Sequence, residues 1–294
     1  MSPAISIIMS TYNRSNILGF AIETVRWQTH TDWELLVIGD ACTDDTPAVV
    51  ASFNDPRIRF INLPENCGEQ TGPNNHGLSL ARGQYLAFLN HDDLWLPDHL
   101  QGALAHLQQH NADLVFSLND IIDTDGARRA GGYAHSDRFN PSFEALASSW
   151  LFRRSLLDRV GPWRFARQCY IVPSQDWLYR AWRKRAALLA WPTLSVVALQ
   201  SGTRRNSYRD RQHEEHQRLF NEIRADYHAF RAREMQLLAP DIAGRSRPPV
   251  FGNRLLMALG LHPQIIRQWR KGDFARGKKI QALRTLRGLP PLPK

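Results

Sequence analysis

Four consecutive polar residues, Asn90-His91-Asp92-Asp93, break an otherwise apolar stretch. Adjacent carboxylates repel, and the usual remedies are a cation, a hydrogen-bond network or contact with water. A divalent cation accepts such oxygen ligands. An Asp-rich turn in which Asp93 ties down the loop would explain the same residues, and the stretch alone leaves both readings open. Two further polar clusters have comparable chemistry. Ser10-Thr11-Tyr12-Asn13-Arg14 offers an aromatic face and hydrogen-bonding groups, and Asp40-Ala41-Cys42-Thr43-Asp44-Asp45 offers a carboxylate at its start. Within the second cluster, Asp44 and Asp45 suit helix-start and turn positions better than ligation. In the last cluster, His91 reads as a solvent-facing spacer.

Each cluster closes an apolar run. Residues 5–9, 34–39 and 85–89 read as strands, the last suited to burial on both faces. Residues 57–63 form a further strand. Between the first two, Ile17, Leu18, Ala21, Ile22 and Val25 recur at helical spacing, Pro47 opens a second helix, and residues 75–81 form a third. This alternation implies a parallel sheet with right-handed crossovers. Parallel strands share a direction, so the loops after the first, second and fourth strands lie on one rim, where open α/β sheets bind ligands. Together they suit a nucleotide diphosphate: an aromatic to pack on the base, an acid to accept its ring N–H, and a cation to neutralise the phosphates. The phosphate-loop lysine motif and the three-glycine dinucleotide fingerprint are absent, which sets aside ordinary ATPases and dehydrogenases.

Downstream, Pro97 is placed to open a helix, with residues 100–110 helical and 113–118 a strand. Residues 127–145 read as irregular, 148–160 as a strand passing into a short helix, 174–191 as helix, 194–199 as a last strand and 211–238 as helical. Residues 239–250 read as a linker, followed by two short basic helical patterns over 252–271 and 273–288. The expected division is a catalytic domain over 1–240, with halves 1–118 and 119–240, and a basic helical extension over 241–294.

The net charge of +9 belongs to that extension: residues 241–294 hold 12 Lys and Arg against 2 Asp and Glu. The extension carries no recognised nucleic-acid module, so no nucleic-acid partner is expected. Leu255, Leu256, Leu259, Leu261, Ile265, Ile266 and Trp269 beside Arg254, Arg267, Arg270 and Lys271 suit either an anionic membrane surface or a contact with the chain's own body or a second copy. Cys42, Cys67 and Cys169 are scattered and form no disulfide framework, and no signal peptide or membrane span is visible. The expected location is cytoplasmic, with peripheral contact at the inner face of the membrane as an option.

The segment 3–46, with its strand, Thr11-Tyr12-Asn13-Arg14 loop and second strand ending in acid, resembles the opening of family 2 glycosyltransferases. Asn75-His76-Gly77, Ala81-Arg82-Gly83-Gln84-Tyr85 and Leu89-Asn90-His91-Asp92-Asp93-Leu94-Trp95-Leu96-Pro97 continue the pattern, and residues 152–163 with Gln175-Asp176-Trp177 resemble the acceptor half. The resemblance covers residues 3–200. It implies a GT-A fold, a Rossmann-like, mostly parallel α/β sheet flanked by helices, and an inverting transferase that uses a nucleoside-diphosphate sugar, UDP- or dTDP-linked, with Mn2+ or Mg2+. It implies donor binding by Thr11, Tyr12, Arg14, Asp40, Asn75, Asn90 and Asp92, with Asp92 as metal ligand and Asp176 as catalytic base. The acceptor would be a glycan or a lipid-linked glycan. Two departures are visible: Asn90 stands where the first acid of the family's Asp-x-Asp element is usual, and Gly39 replaces an acid before Asp40. His213 or His216 could supply a late metal ligand or lie on a solvated helical face, and Arg204, Arg205, Arg209 and Arg211 could close over the diphosphate or form an exposed basic loop. A sugar nucleotidyltransferase, a paired-carboxylate hydrolase and a degenerate sugar-nucleotide-binding domain are the rival readings.

Overall fold

The computed structural model describes residues 2–132, 137–200, 205–245, 251–270 and 275–292. The first half alternates as expected: β1 (Ile5–Thr11), α1 (Ser15–Arg26), β2 (Trp33–Gly39), α2 (Thr46–Ala51), β3 (Ile58–Asn62), α3 (Thr71–Leu80) and β4 (Tyr85–Phe88). Then follow β5 (Asp93–Trp95), α4 (His99–Gln109), β6 (Leu114–Ile122), β7 (Arg128–Gly131), β8 (Trp150–Arg153), α5 (Arg154–Val160), α6 (Pro173–Arg183) and β9 (Leu188–Leu199). The chain ends in helices α7 (Ser207–Asp210), α8 (Glu214–Ala225), α9 (Tyr227–Arg245), α10 (Phe251–Ala258), α11 (Pro263–Arg270) and α12 (Lys278–Arg287).

All the described strands join one sheet in the order β3-β2-β1-β4-β8-β6-β9-β5, with β7 paired to β6. The four strands at one end are parallel, with Thr11 opposite Gly39 and Ile8 opposite Phe88. Their carboxyl ends, and the three polar clusters, therefore share a rim. The other half is mixed: β8 is antiparallel to both β4 and β6, and β5 is antiparallel to β9. Every residue of β1, β2 and β4 is buried, because helices cover both faces. On one face Leu18, Ala21, Ile22 and Val25 of α1 join Leu100, Ala103 and Leu107 of α4; on the other, Leu78 of α3 meets Trp163 and Trp177. The sequence reading of an α/β sheet flanked by helices with a helical basic end stands.

Four local readings change. Asp93 begins a strand, because it pairs with Ala198 of β9. Residues 128–131 form an edge strand inside the stretch read as irregular. Helix α6 stops at Arg183, and the strand after it begins at Leu188. There Arg185 takes a left-handed φ of 57°, while Ala186 N–H donates to Ala181 O and Arg185 N–H to Trp182 O, a six-to-one and five-to-two closure. Lastly, the stretch expected to be a linker is helical as far as Arg245. Asp241 is not a spacer: its carboxylate accepts from the Ala130 N–H of β7 at 2.7 Å, and Arg128 bridges Asp120 and Glu234 close by. Residues 246–250 lie outside the described residues. The tail holds three helices where two were expected.

Candidate functional site

The rim loops are locked to each other before any ligand arrives. Asn13 adopts φ 47° and Ala41 φ 57°, so each chain turns sharply one residue beyond Tyr12 and Asp40. Asn13 Oδ1 accepts from Thr43 N–H at 2.8 Å, which clamps the first loop to the second. Asp44 accepts from Ser15 N–H at 3.2 Å and from the Thr46 hydroxyl at 2.6 Å, so it secures the starts of α1 and α2. That is the helix-start role expected of it.

A cavity of about 950 Å3 opens on this rim, within the range of small-molecule sites. Thr11, Tyr12, Arg14, Asp40, Asn90 and Asp92 all line it. Thr11 is buried, and its hydroxyl has no hydrogen-bond partner among the described residues. Such an unspent donor and acceptor in a cavity wall suits the polar edge of a ligand. Asp40 is buried and accepts from Cys67 N–H at 2.7 Å and Gly68 N–H at 3.0 Å, so it also folds the loop that forms the next wall. Burial pushes its carboxyl above the ordinary value despite those bonds.

Asp92 and Asp93 separate cleanly. Asp93 is buried and accepts hydrogen bonds from the Ser148 hydroxyl and, at 2.9 Å, from the Asn90 amide. Burial first, and the charge of Asp92 second, push its carboxyl well above the usual range. Asp92 is half-buried, and its carboxyl is held below the usual range. Burial opposes its ionisation but is outweighed by His91, Arg14, His216 and Arg287. Burial holds both imidazoles below their ordinary value, His216 down to about 4, so at neutral pH the balance falls to the two guanidinium groups. His91 is not a solvent-facing spacer: half-buried in the cavity wall, its Nδ1–H donates to Ser10 O at 3.1 Å.

Other walls were not legible as such. Arg14 is only 2% exposed, donates to Ser207 O at 2.6 Å and sits 5.2 Å from the Tyr208 ring. Tyr208 lies 6.2 Å from Tyr12, so two aromatic rings border the cavity. The basic extension folds back here: Arg284 and Arg287 of α12 line the same cavity. Arg205, Arg209 and Arg211 do not line it; Arg209 pairs with Asp210, and Arg211 reaches Asp44 at 3.4 Å. Arg204 and Lys271 lie outside the described residues.

Two of the expected site residues sit elsewhere. Asn75 does not line the cavity: its amide exchanges hydrogen bonds with the backbone of Trp163, at 3.0 and 2.9 Å, and so fastens α3 to the segment that follows α5. Asp176 lies on the first turn of α6, whose Val172, Pro173 and Ser174 border the cavity while Asp176 does not. Arg180 donates to its Oδ2 at 2.9 Å, and Oδ1 lies 3.9 Å from Arg164.

Asp92 presents a half-buried carboxylate in the cavity wall. Among the described residues no group of three His, Cys, Asp or Glu stands ready to hold a metal. His216 of α8 is buried rather than on a solvated face; its Nε2–H donates to the Asp92 backbone O at 3.2 Å, and its Nδ1 is buried with no partner among the described residues. A single carboxylate suits only a cation whose remaining ligands come from water and substrate phosphates.

Among known proteins, the model of a family described as "Glycosyl transferase family 2" matches residues 6–168. Curated relatives include the Escherichia coli UDP-Glc:alpha-D-GlcNAc-diphosphoundecaprenol beta-1,3-glucosyltransferase WfgD, 33% identical over 40% of this chain and 47% of its own length. A second is the E. coli putative colanic acid biosynthesis glycosyl transferase WcaA, 34% identical over 41% of this chain and 44% of its own. The chain thus matches less than half the length of these relatives. A similar solved structure is S. aureus TarS 1-349 in complex with UDP-GlcNAc, at TM-score 0.58 and 19% identity over 96% of this chain and 84% of that one. At that identity the likeness concerns the fold.

Proposed function

This chain belongs to glycosyl transferase family 2, and from that premise we propose that it transfers a sugar from a UDP- or dTDP-linked donor to an acceptor hydroxyl, with inversion. The observation that carries the reading is the cavity itself. One part holds the Tyr12 ring, a buried acid and a buried hydroxyl without a partner among the described residues; another holds Asp92 with Arg14 and Arg287 beside the Tyr208 ring. The first suits a pyrimidine base and the second its diphosphate. Solved structures of a fold relative with UDP and UDP-GlcNAc, and relatives named for polysaccharide synthesis, support the same donor class and setting.

Asp92 would hold Mg2+ or Mn2+, which when bound would offset the negative charge of the leaving diphosphate. Arg14, fixed by Ser207 and almost fully buried, places a permanent cation at the same end. We assign the base to Asp176. Arg180 holds its Oδ2, and Oδ1, 3.9 Å from Arg164, would accept the proton of an acceptor hydroxyl entering past Val172–Ser174. The nucleophile would then displace the nucleotide in one step, which inverts the anomeric centre.

For the acceptor we favour a glycan carried on lipid. Phe251 and Leu255 of α10, Leu259 just after it and Trp269 of α11 are 54–79% exposed, and no acid occurs from 251 to 270, where Arg254, Arg267 and Arg270 lie. An apolar, purely cationic face fits an anionic lipid surface. Among the described residues no helix is long and apolar enough to cross a membrane.

The test is a thermal-shift screen of UDP- and dTDP-sugars with Mg2+ and Mn2+, followed by transfer assays with the stabilising donor. Stabilisation by a nucleotide sugar and release of the nucleoside diphosphate support the reading. Pyrophosphate release from a nucleoside triphosphate would point to a nucleotidyltransferase instead, and sugar release to water alone to a hydrolase.

A further inference from the structure

The last helix accounts for the basic end of the chain in a way that membrane attraction does not. Helix α12 forms part of the wall of the donor cavity, which Lys279, Ile280, Leu283, Arg284 and Arg287 all line. It is held at both ends. At its start Gly277 N–H donates to Cys169 O at 3.1 Å, and at its end Asn206 N–H donates to Leu286 O at 3.0 Å. Arg284 is the internal bolt: 4% exposed, it donates to Pro290 O at 2.7 Å and to Gly68 O, the loop that Asp40 folds.

Arg287, one turn further, stands 6.0 Å from the Tyr208 ring, whose other neighbour is Arg14 at 5.2 Å. The two guanidinium groups therefore flank one aromatic ring on the Asp92 side of the cavity, although 273 residues separate them in sequence. An arginine fork matches phosphate oxygens in pairs, which a lysine cannot reproduce. We propose that α12 is an integral wall of the donor site and that Arg287 binds the diphosphate of the nucleotide, together with Arg14. The tail's surplus of positive charge is thus directed in part at the leaving group. The inference rests on the nucleotide-sugar reading above.

Calorimetry on the full chain tests it, with UDP and with uridine as probes, for wild type, Arg287→Ala and Arg287→Lys. Loss of one charge-assisted contact to phosphate should weaken UDP about 10- to 100-fold and leave uridine unchanged, with the lysine variant in between. If the alanine variant unfolds at the assay temperature, Arg287→Gln, which keeps the aliphatic stem against Tyr208, gives the same comparison. UDP affinity within about twofold of wild type, or uridine lost in step with UDP, overturns the proposal. Wild type that binds neither UDP nor dTDP overturns the donor reading itself, and this proposal with it.

Discussion

Neutralising Asp93 and neutralising Asp92 should have opposite consequences, although the two are neighbours in the chain. Asp93 is buried and pushed well above the usual carboxylate range by burial and by Asp92, and its oxygen accepts from Ser148 and Asn90. Asparagine at 93 keeps the shape and the acceptor and removes the titration. In the wild type the unfolded chain gives up this proton near the ordinary aspartate value of about 3.9, while the folded chain retains it to higher pH. A raised folded value contributes stability that is complete below about pH 4 and is lost as pH rises, at up to about 1.4 kcal/mol per pH unit for one proton. Asp93→Asn should therefore gain stability relative to wild type as pH rises from about 4 toward the folded value. Asp92 is held low among Arg14 and Arg287. Asp92→Asn should weaken UDP binding in the presence of Mg2+ about 10- to 100-fold, the cost of one charged contact of about 1.5–3 kcal/mol. Urea unfolding across pH follows the first, and calorimetry with UDP, with and without Mg2+, follows the second. An Asp93→Asn variant that loses ground to wild type as pH rises would refute the assignment of Asp93 as a buried neutral support. An Asp92→Asn variant that binds Mg2+ and UDP as wild type does would remove Asp92 from the donor site.

Asp176→Asn should lower transfer about 10^2- to 10^4-fold, the range for a lost general base, with UDP affinity unchanged by calorimetry; unchanged turnover would place the base elsewhere. Gly83→Ala should destabilise by about 2–3 kcal/mol, because an added Cβ would stand 2.5 Å from Ser6 N and 2.8 Å from the Ile5 carbonyl carbon, backbone atoms of β1 that cannot swing aside; a denaturation midpoint at the wild-type value would contradict that close approach. Phe251→Ser with Trp269→Ser should lower flotation with phosphatidylglycerol vesicles about tenfold or more, given about 1.5–3 kcal/mol for each large apolar side chain buried; equal flotation, or a change in sedimentation instead, would favour a second copy of the chain on that face.

Much of the first half was legible because its signals are local. Strands buried on both faces read as apolar runs, and polar clusters after them mark the rim; six of the eight expected binding and catalytic residues line one cavity for that reason. The exceptions have physical causes. Asn75 matched a motif, but a motif position does not say which way an amide points, and here it closes on Trp163. Asp176 sits at the expected helix start, but its pairing with Arg180 one turn later was a matter of rotamers. Helix α6 ends on an arginine in the left-handed region, where glycine would have announced the stop. Tyr208, Arg284 and Arg287 carry no local signal, since contacts across such separations depend on how the tail folds back. The charge asymmetry of the chain was the one trace of it. A surplus of 12 basic over 2 acidic residues in 241–294 marked the tail as functional, but sign alone does not distinguish a lipid headgroup from a diphosphate.

Asn90 then has an explanation in charge. Its amide N–H donates to Asp93 at 2.9 Å, and its own backbone N–H donates to the Ser148 hydroxyl at 3.0 Å. An aspartate there would have no proton to give Asp93 at neutral pH and would set a third carboxylate beside a pair already pushed apart in their ionisation. The amide keeps the loop closed and leaves Asp92 as the single charged acid of the cluster. What a second acid would contribute in cation binding is offset by Arg14 and Arg287, whose charges act on Asp92. A site with one such carboxylate and two guanidinium groups would hold a diphosphate through permanent positive charge as well as through any cation, and on the proposed donor reading that division of labour ties the substitution at residue 90 to the helix at the far end of the chain.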